Sequence, residues 1–348
     1  MKNTKIKSLI VIMITICLFS TGCTEFVSNE TNQNTSEGKL VVHYLDVGQG
    51  DSILIQFPEN RVALIDGGTR ESGQKVVNYI KNLGIEKIDY LIATHPHEDH
   101  IGGLPEVVRN FEIGKVYMPN KTANTKIFET LLTEIDNKGL KITIAKGFDT
   151  IIDEGNLKFS ILAPLKDEYP ETNDYSIVTK LEYLDNSFLF TGDIEKEAEM
   201  DLIEAGYDLK SDVLKVAHHG SNSSSSEEFL KAVDPDYSVI SLGKDNSYGH
   251  PHKETLDRLN SMGIEILRTD ELGDIVVKSD GVSLTVKGVA FNETNRQTDN
   301  TIYIGNKNTK VFHSKGCKSL PKEENQVIFN SYEQAIEADF TPHSQCIK

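Results

Sequence analysis

Cysteine, positive charge and long apolar runs are all scarce in this chain. Four cysteines in 348 residues, with Cys17 and Cys23 close to the amino terminus, exclude a disulfide-built scaffold. The apolar run from Leu9 to Phe19 is short for a membrane-spanning helix. Lysine and arginine number 36 against 53 acidic residues, a formal net charge of −17. Most of that deficit lies in residues 39–290, with 26 cationic and 43 acidic side chains, a field that disfavours nonspecific nucleic-acid binding. Histidine is also sparse, ten in all, and none occurs between His100 and His218. Yet three of the ten crowd into "LIATHPHEDHIGG", at His95, His97 and His100.

The amino terminus, "MKNTKIKSLIVIMITICLFSTGC", has a lysine-rich start, an apolar stretch and small residues leading to Cys23, the layout of a secretory signal. Its end, "STGC", resembles a bacterial lipobox, although Ser20 stands where that pattern prefers leucine. The expectation is a signal over residues 1–22, lipidation at Cys23 and a polar tether over 23–38 too poor in apolar groups to fold alone. The folded part would then sit on the extracellular face of the cell membrane.

From Lys39, short β-rich runs separated by Gly, Pro and Asn signals alternate with helical patterns, such as "ESGQKVVNYIKNLG" with Val76, Val77, Ile80 and Leu83 on one face. A comparable series recurs from "YSIVTKLEYLDNSFLFTGD" onward. Two strand-rich halves, each needing its apolar faces covered, predict an α/β sandwich: two sheets face to face with helices outside, over residues 39–290. A polar linker over 291–300 would lead to a small unit, 301–348, with a meagre core.

The pattern H-x-H-x-D-H at His95, His97, Asp99 and His100 follows a strand. Residues two apart point the same way in extended chain, so His95 and His97 suit one metal while Asp99 and His100 suit a second. Imidazole and carboxylate are zinc ligands. Further candidates also end strands: Asp193 in "FLFTGDIE", His218 and His219 in "VLKVAHHGS", His250 and His252 in "NSYGHPH". His43, alone in a strand, reads as structural. The run "HHGSNSSSSEEF" could receive phosphate on its hydroxyls and backbone N–H groups, or be a Ser-rich loop with Ser226 as a helix cap. Asn173, Asp174 and Ser176 carry a similar ambiguity between site and turn.

Taken in order, "LDVGQGDS", "ATHPHEDHIGG", "LFTGDIE", "LKSDVLKVAHHGS" and "YGHPH" resemble the metallo-β-lactamase fold, in the branch related to the soluble domain of the competence protein ComEC. The resemblance implies an αββα sandwich and a binuclear hydrolase. It implies that Asp46 orients a ligand histidine, that His95 and His97 bind the first metal and Asp99 and His100 the second, that Asp193 bridges, and that His250 belongs to the second site. With no histidine in "TNDYSIV" to complete the first site, His218 or His219 is expected there, His219 being favoured and its neighbour acting on substrate or as a structural hydrogen-bonder. Two metals about 3.5 to 4 Å apart lower the pKa of a bridging water and stabilise charge on the attacked centre.

In the small unit, "VFHSKGC" and "TPHSQC" pair His313 with Cys317 and His343 with Cys346, which suits a closed tetrahedral zinc site supplying folding energy. The unit resembles the metal-binding domain of the Ada DNA-repair protein, with two histidines where that domain has cysteines. The alternative is a Cys317–Cys346 disulfide. The sequence thus predicts an exported, binuclear zinc hydrolase of phosphodiester or phosphoester bonds, with DNA as a candidate substrate and manganese or iron as alternative metals. A phosphocholine esterase, or a surface module binding nucleic acid or envelope polymer, are the competing readings.

Overall fold

The computed structural model describes residues 38–289 and 303–329, together with residues 335, 338, 340–343 and 346. The expected signal, the lipidation site Cys23, the tether up to residue 37 and the linker lie outside the described residues. Among the described residues no helix is long and apolar enough to cross a membrane.

Two sheets form the larger part. The first has eight strands in the spatial order Leu284–Val289, Asp274–Ser279, Leu40–Tyr44, Ile53–Gln56, Val62–Ile65, Lys87–Ile92, Glu112–Met118 and Ile142–Ile144. The second has seven: Glu265–Arg268, Tyr237–Ile240, Val213–Lys215, Asn186–Phe190, Val178–Tyr183, Leu157–Ala163 and Thr150–Glu154. Strict alternation along the strands explains the layering, because successive side chains leave opposite faces. Ile53, Ile55, Ala63 and Ile65 join Phe159, Phe188 and Phe190 in the core between the sheets. Their neighbours Leu54, Val62 and Leu64 pack outward with Val76, Val77 and Ile80 of the helix Gly73–Asn82. On the other side Leu189 and Leu214 pack outward with Leu202, Phe229 and Leu259, one from each of three helices. Strands buried on both faces read as continuous apolar runs, as "VALI" and "FLF" do. The architecture is the αββα sandwich expected from the strand and helix patterns.

Strand direction positions the site. In the first sheet the last four strands run parallel, from Val62–Ile65 to Ile142–Ile144. In the second, Asn186–Phe190, Val213–Lys215, Tyr237–Ile240 and Glu265–Arg268 are likewise parallel. Loops beyond the carboxyl ends of parallel strands are where open α/β sheets bind ligands. Asp66, His95, Asp193, His219 and Ser241 each follow such an end.

The small unit is a four-stranded sheet in the order Gln326–Phe329, Tyr303–Asn306, Val311–Ser314, Thr341–Pro342. Its described core is Phe312, Phe329, Ala335 and Phe340, with Tyr303 and Val327 against it. So small a core is consistent with a unit that gains stability from a metal.

Candidate metal centre

The strand Lys87–Ile92 delivers Thr94 and His95 to the site, and the short helix Glu98–Ile101 carries Asp99 and His100. Asp66, at the end of the neighbouring strand, is fully buried and accepts hydrogen bonds from the Thr94 backbone N–H at 2.8 Å and the Thr94 hydroxyl at 2.6 Å. Its Oδ2 also lies 2.8 Å from His100 Nδ1. A carboxylate only accepts, so His100 Nδ1 carries the proton and Nε2 offers a lone pair, 3.1 Å from Asp193 Oδ2.

Tautomer logic fixes His95 in the same way. The single Thr94 hydroxyl proton goes to Asp66, so toward His95 Nδ1, at 3.1 Å, that oxygen is an acceptor. His95 Nε2 therefore presents a lone pair, and it stands 3.0 Å from His97 Nδ1. Burial and the neighbouring His100 hold His95 well below the usual imidazole range, in the neutral form that a metal needs. Ser176 ties this half to the next, with its Oγ 3.2 Å from His95 Nδ1 and accepting from the Asp193 backbone N–H at 3.1 Å.

Asp99, His100, Asp193 and His219 form the second half, with donor atoms all within 4.8 Å of one another. His219 Nδ1 donates to the Ser241 carbonyl at 2.9 Å, which turns its Nε2 lone pair toward Asp99 Oδ2 and Asp193 Oδ2, each at 3.4 Å. Asp193 Oδ2 is also 3.9 Å from His95 Nε2, so it stands between the two halves. Asp193 Oδ1 and His219 Nε2 are buried without a hydrogen-bond partner. Lone pairs facing carboxylates, with orphaned buried atoms among them, fit a cation. Without metal, burial pulls His100 and His219 down, but Asp193 and the other carboxylates outweigh it and hold both well above the usual imidazole range. Protons then stand in for metal charge.

At three positions the structure brings together other partners than the sequence-based expectation did. His219 joins Asp99, His100 and Asp193 rather than completing the His95–His97 half. The reason is topological: the strand Val213–Lys215 is the parallel neighbour of the one that ends before Asp193, so both loops leave the same edge together. His250 arrives one strand further on and stays outside this donor group, its ring 6.3 Å from that of His219. Asp46 orients no histidine ring here: its Oδ1 accepts from Gly48 N–H at 3.2 Å and its Oδ2 lies 3.6 Å from Lys75 Nζ. The carboxylate that orients a ring is Asp66, on His100, and Asp51 adds a buried negative charge beside His219; sequence reasoning missed both.

Asp51 is buried with its Oδ2 2.8 Å from Nζ of the fully buried Lys215, and its Oδ1 3.5 Å from His219 Nδ1. Burial opposes its charge, and Lys215 outweighs that opposition and holds the carboxyl below its usual range. Gly50 permits this approach, since a Cβ there would lie 2.1 Å from the Asp99 carbonyl oxygen. The missed signals were present: Asp66 ends the apolar strand "VALI" as Asp193 ends "FLF", and Lys215 interrupts an apolar one.

His218 and His219 both have left-handed backbones, φ 51° and 53°, and their ring planes diverge by 71°. His218 therefore turns away from the donor group, with Nδ1 3.3 Å from Glu195 Oε1 and Asn173 Nδ2 3.5 Å from its ring nitrogens. Asp174 accepts from the Glu195 backbone N–H at 2.7 Å, and burial pushes its carboxyl up to about 6. The backbone N–H groups of the Ser-rich run are already engaged. The buried Glu199 carboxylate accepts from the backbone N–H groups of Ser225 and Ser226, and Ser226 caps its helix through Phe229 N–H. The N–H groups of Ser221, Asn222, Ser223 and Ser224 are also bonded internally. The cap reading thus describes Ser226, and the backbone N–H groups of the loop are taken up within the protein.

His43 bonds Tyr79 Oη at 2.8 Å and Gln56 Oε1 at 2.9 Å, away from the metal centre. In the small unit His313, Cys317, His343 and Cys346 place four donor atoms within 4.8 Å of one another, and the two thiols are not joined.

Fold and donor set together define a metal-dependent hydrolase. Residues 45–244 match the metallo-beta-lactamase superfamily, and the chain belongs to that family. Residues 288–347 match the metal binding domain of Ada. Similar relatives include ComE operon protein 3 of Bacillus subtilis (strain 168), 34% identical over 69% of this chain and 33% of that protein. Competence protein ComA of Neisseria gonorrhoeae is 31% identical over 68% of this chain and 32% of its own length. The bifunctional transcriptional activator/DNA repair enzyme AdaA of Bacillus subtilis (strain 168) is 32% identical over 29% of this chain and 41% of that protein. The chain thus spans about a third of the length of ComE operon protein 3 and of competence protein ComA.

Proposed function

We propose that this hydrolase is a binuclear phosphodiesterase that cleaves nucleic-acid strands, tethered outside the cell membrane through Cys23. The observation that carries the reading is the position of Asp193 Oδ2, 3.1 Å from His100 Nε2 and 3.9 Å from His95 Nε2, between two donor sets. Two divalent ions sharing that carboxylate would supply an activated water and neutralise charge on an in-line phosphoryl displacement. His95 and His97 would hold one ion; Asp99, His100 and His219 would hold the other. Thr94, Ser176, Asp66 and Ser241 fix the imidazoles so that lone pairs, not N–H groups, face the ions. With the N–H groups of the Ser-rich loop engaged, substrate phosphate must be met by the ions and by side chains such as His218 and Asn173. The resemblance of the ordered motifs to the ComEC-related branch supports nucleic acid as substrate, and the signal-like segment ending at Cys23 supports export.

A metal-supplemented screen of single-stranded DNA, bis-p-nitrophenyl phosphate, a phosphocholine ester and a β-lactam tests the reading. Hydrolysis of the first two is expected, and it should vanish when His97→Ala is combined with Asp193→Ala. Undiminished hydrolysis by the double variant, or turnover confined to the last two substrates, refutes it. For the anchor, Cys23→Ala should move the protein from the membrane fraction to the medium, and retention in the membrane fraction refutes attachment through Cys23.

A further inference from the structure

A ladder of rings climbs from the metal centre to the surface. His100 lies against His219 with ring centroids 5.2 Å apart, His219 stacks with His250 at 6.3 Å and an interplanar angle of 29°, and His250 stacks with Tyr248 at 5.7 Å and 25°. Tyr248 is the outermost rung and is 64% exposed. It packs in none of the apolar clusters of the sandwich, so its ring is not held there by burial. With His250 on one face, that exposure leaves the other face to solvent.

The loop that carries this ring is pinned. Asn246 Oδ1 accepts from His250 N–H at 3.0 Å, while its Nδ2 donates to the His250 carbonyl at 2.7 Å and the Gly243 carbonyl at 3.0 Å. Beyond it His252 N–H donates to the Gly220 carbonyl at 2.9 Å, and His252 Nδ1 accepts from Asn222 N–H at 3.0 Å. The segment is thus braced internally through Asn246, and its far end is tied at His252 to the same turn that carries His219. A fixed, exposed aromatic face needs little ordering when a flat partner settles on it.

Building on the phosphodiesterase reading above, we infer that Tyr248 is the stacking platform for a nucleobase flanking the scissile phosphodiester of a single-stranded nucleic acid. Every base has a π-face, so one aromatic platform beside a reaction centre holds a strand without reading its sequence. A paired base inside a duplex already has both faces covered, which restricts the platform to unpaired strands. A quaternary ammonium headgroup is recognised by a cage of several aromatic faces, and Tyr248 offers one. Stacking also draws its attraction from surface contact rather than from positive charge, which suits a nucleic-acid site on so acidic a chain.

The test uses the metal-loaded full chain and a fluorescent phosphorothioate single strand that resists cleavage, beside an abasic strand of equal length. Tyr248→Ala should weaken binding of the base-bearing strand about 5- to 150-fold, whereas Tyr248→Phe should stay within about twofold of the native chain. The native chain should bind the abasic strand as weakly as Tyr248→Ala binds the base-bearing one. Equal affinity of native and Tyr248→Ala chains, equal affinity for the two strands, or no binding by the native chain overturns the inference. Cleavage of an unmodified strand is scored separately. Binding that depends on Tyr248 without any cleavage refutes the phosphodiesterase and leaves the platform; cleavage indifferent to Tyr248 does the reverse.

Discussion

Asp66→Asn isolates the orienting role of a carboxylate that touches no substrate. Asp66 Oδ2 accepts from Thr94 Oγ1 at 2.6 Å and lies 2.8 Å from His100 Nδ1, while Oδ1 accepts from the Thr94 N–H at 2.8 Å. The amide has the same shape but only one acceptor oxygen. If its Nδ2 replaces Oδ2, a donor faces the Thr94 hydroxyl and His100 Nδ1–H; if it replaces Oδ1, a donor faces the Thr94 N–H. The first arrangement is relieved when His100 moves its proton to Nε2, and that removes the lone pair facing the metal. Loss of such a partner weakens metal binding about 10- to 100-fold, or about 1.4 to 2.7 kcal/mol. Competition against a chromogenic chelator measures this directly, with the metal-free fold monitored by thermal melting. Asp46→Asn is the control, and because Asp46 meets Gly48 and Lys75 it should leave metal affinity unchanged. Native-like affinity in Asp66→Asn, or an equal loss in Asp46→Asn, would refute the orientation argument.

The different placements of His219, inside the donor group, and His250, outside it, give a second contrast: His219→Ala should lower bound metal in the larger domain, and His250→Ala should retain it, as read by elemental analysis after gel filtration. His43 gives a pH prediction. Burial, aided by Lys278, depresses it to about 4, so it is neutral in the fold; its contribution is fully present above the unfolded value of 6.5 and is lost as pH falls toward 4. The loss is at most about 3 kcal/mol. Urea midpoints of native and His43→Gln chains should converge over that window, and parallel curves would disprove it. In the small unit, chelation should raise hydrogen exchange in the strand Val311–Ser314, and Cys346→Ser should do so without chelator; unchanged protection in both would show that the unit stands without metal.

The segment His95 to His100 was legible because its geometry is local: strand alternation and one helical turn place the ligands whatever the rest of the chain does. The layers were legible for the same reason, since "VALI" and "FLF" declare two buried faces. What escaped was pairing across the sheets. Asp66 is 34 positions from His100, and Asp51 reaches Lys215 and His219 only when both sheets are assembled. The different grouping of His219 and His250 has the same origin, because sequence order says that both end strands but not which strand borders that of Asp193. In the Ser-rich loop the decisive partner was Glu199, a helix residue with no local mark of its role.

The paired left-handed backbone at His218 and His219 has a consequence for how the chain trades folding against chemistry. Each such non-glycine residue costs on the order of 1 to 3 kcal/mol. Two neighbours thereby serve opposite clients, one the metals and the other the open rim. Replacement of His219 by glycine would relax the turn, but it would also remove a ligand, the bond to the Ser241 carbonyl and, without metal, the positive charge facing Asp99 and Asp193, so the metal-free protein should become easier to unfold. The same imidazole thus offsets the strain of its backbone in both states, as a proton carrier among carboxylates when the centre is empty of metal and as a ligand when it is filled.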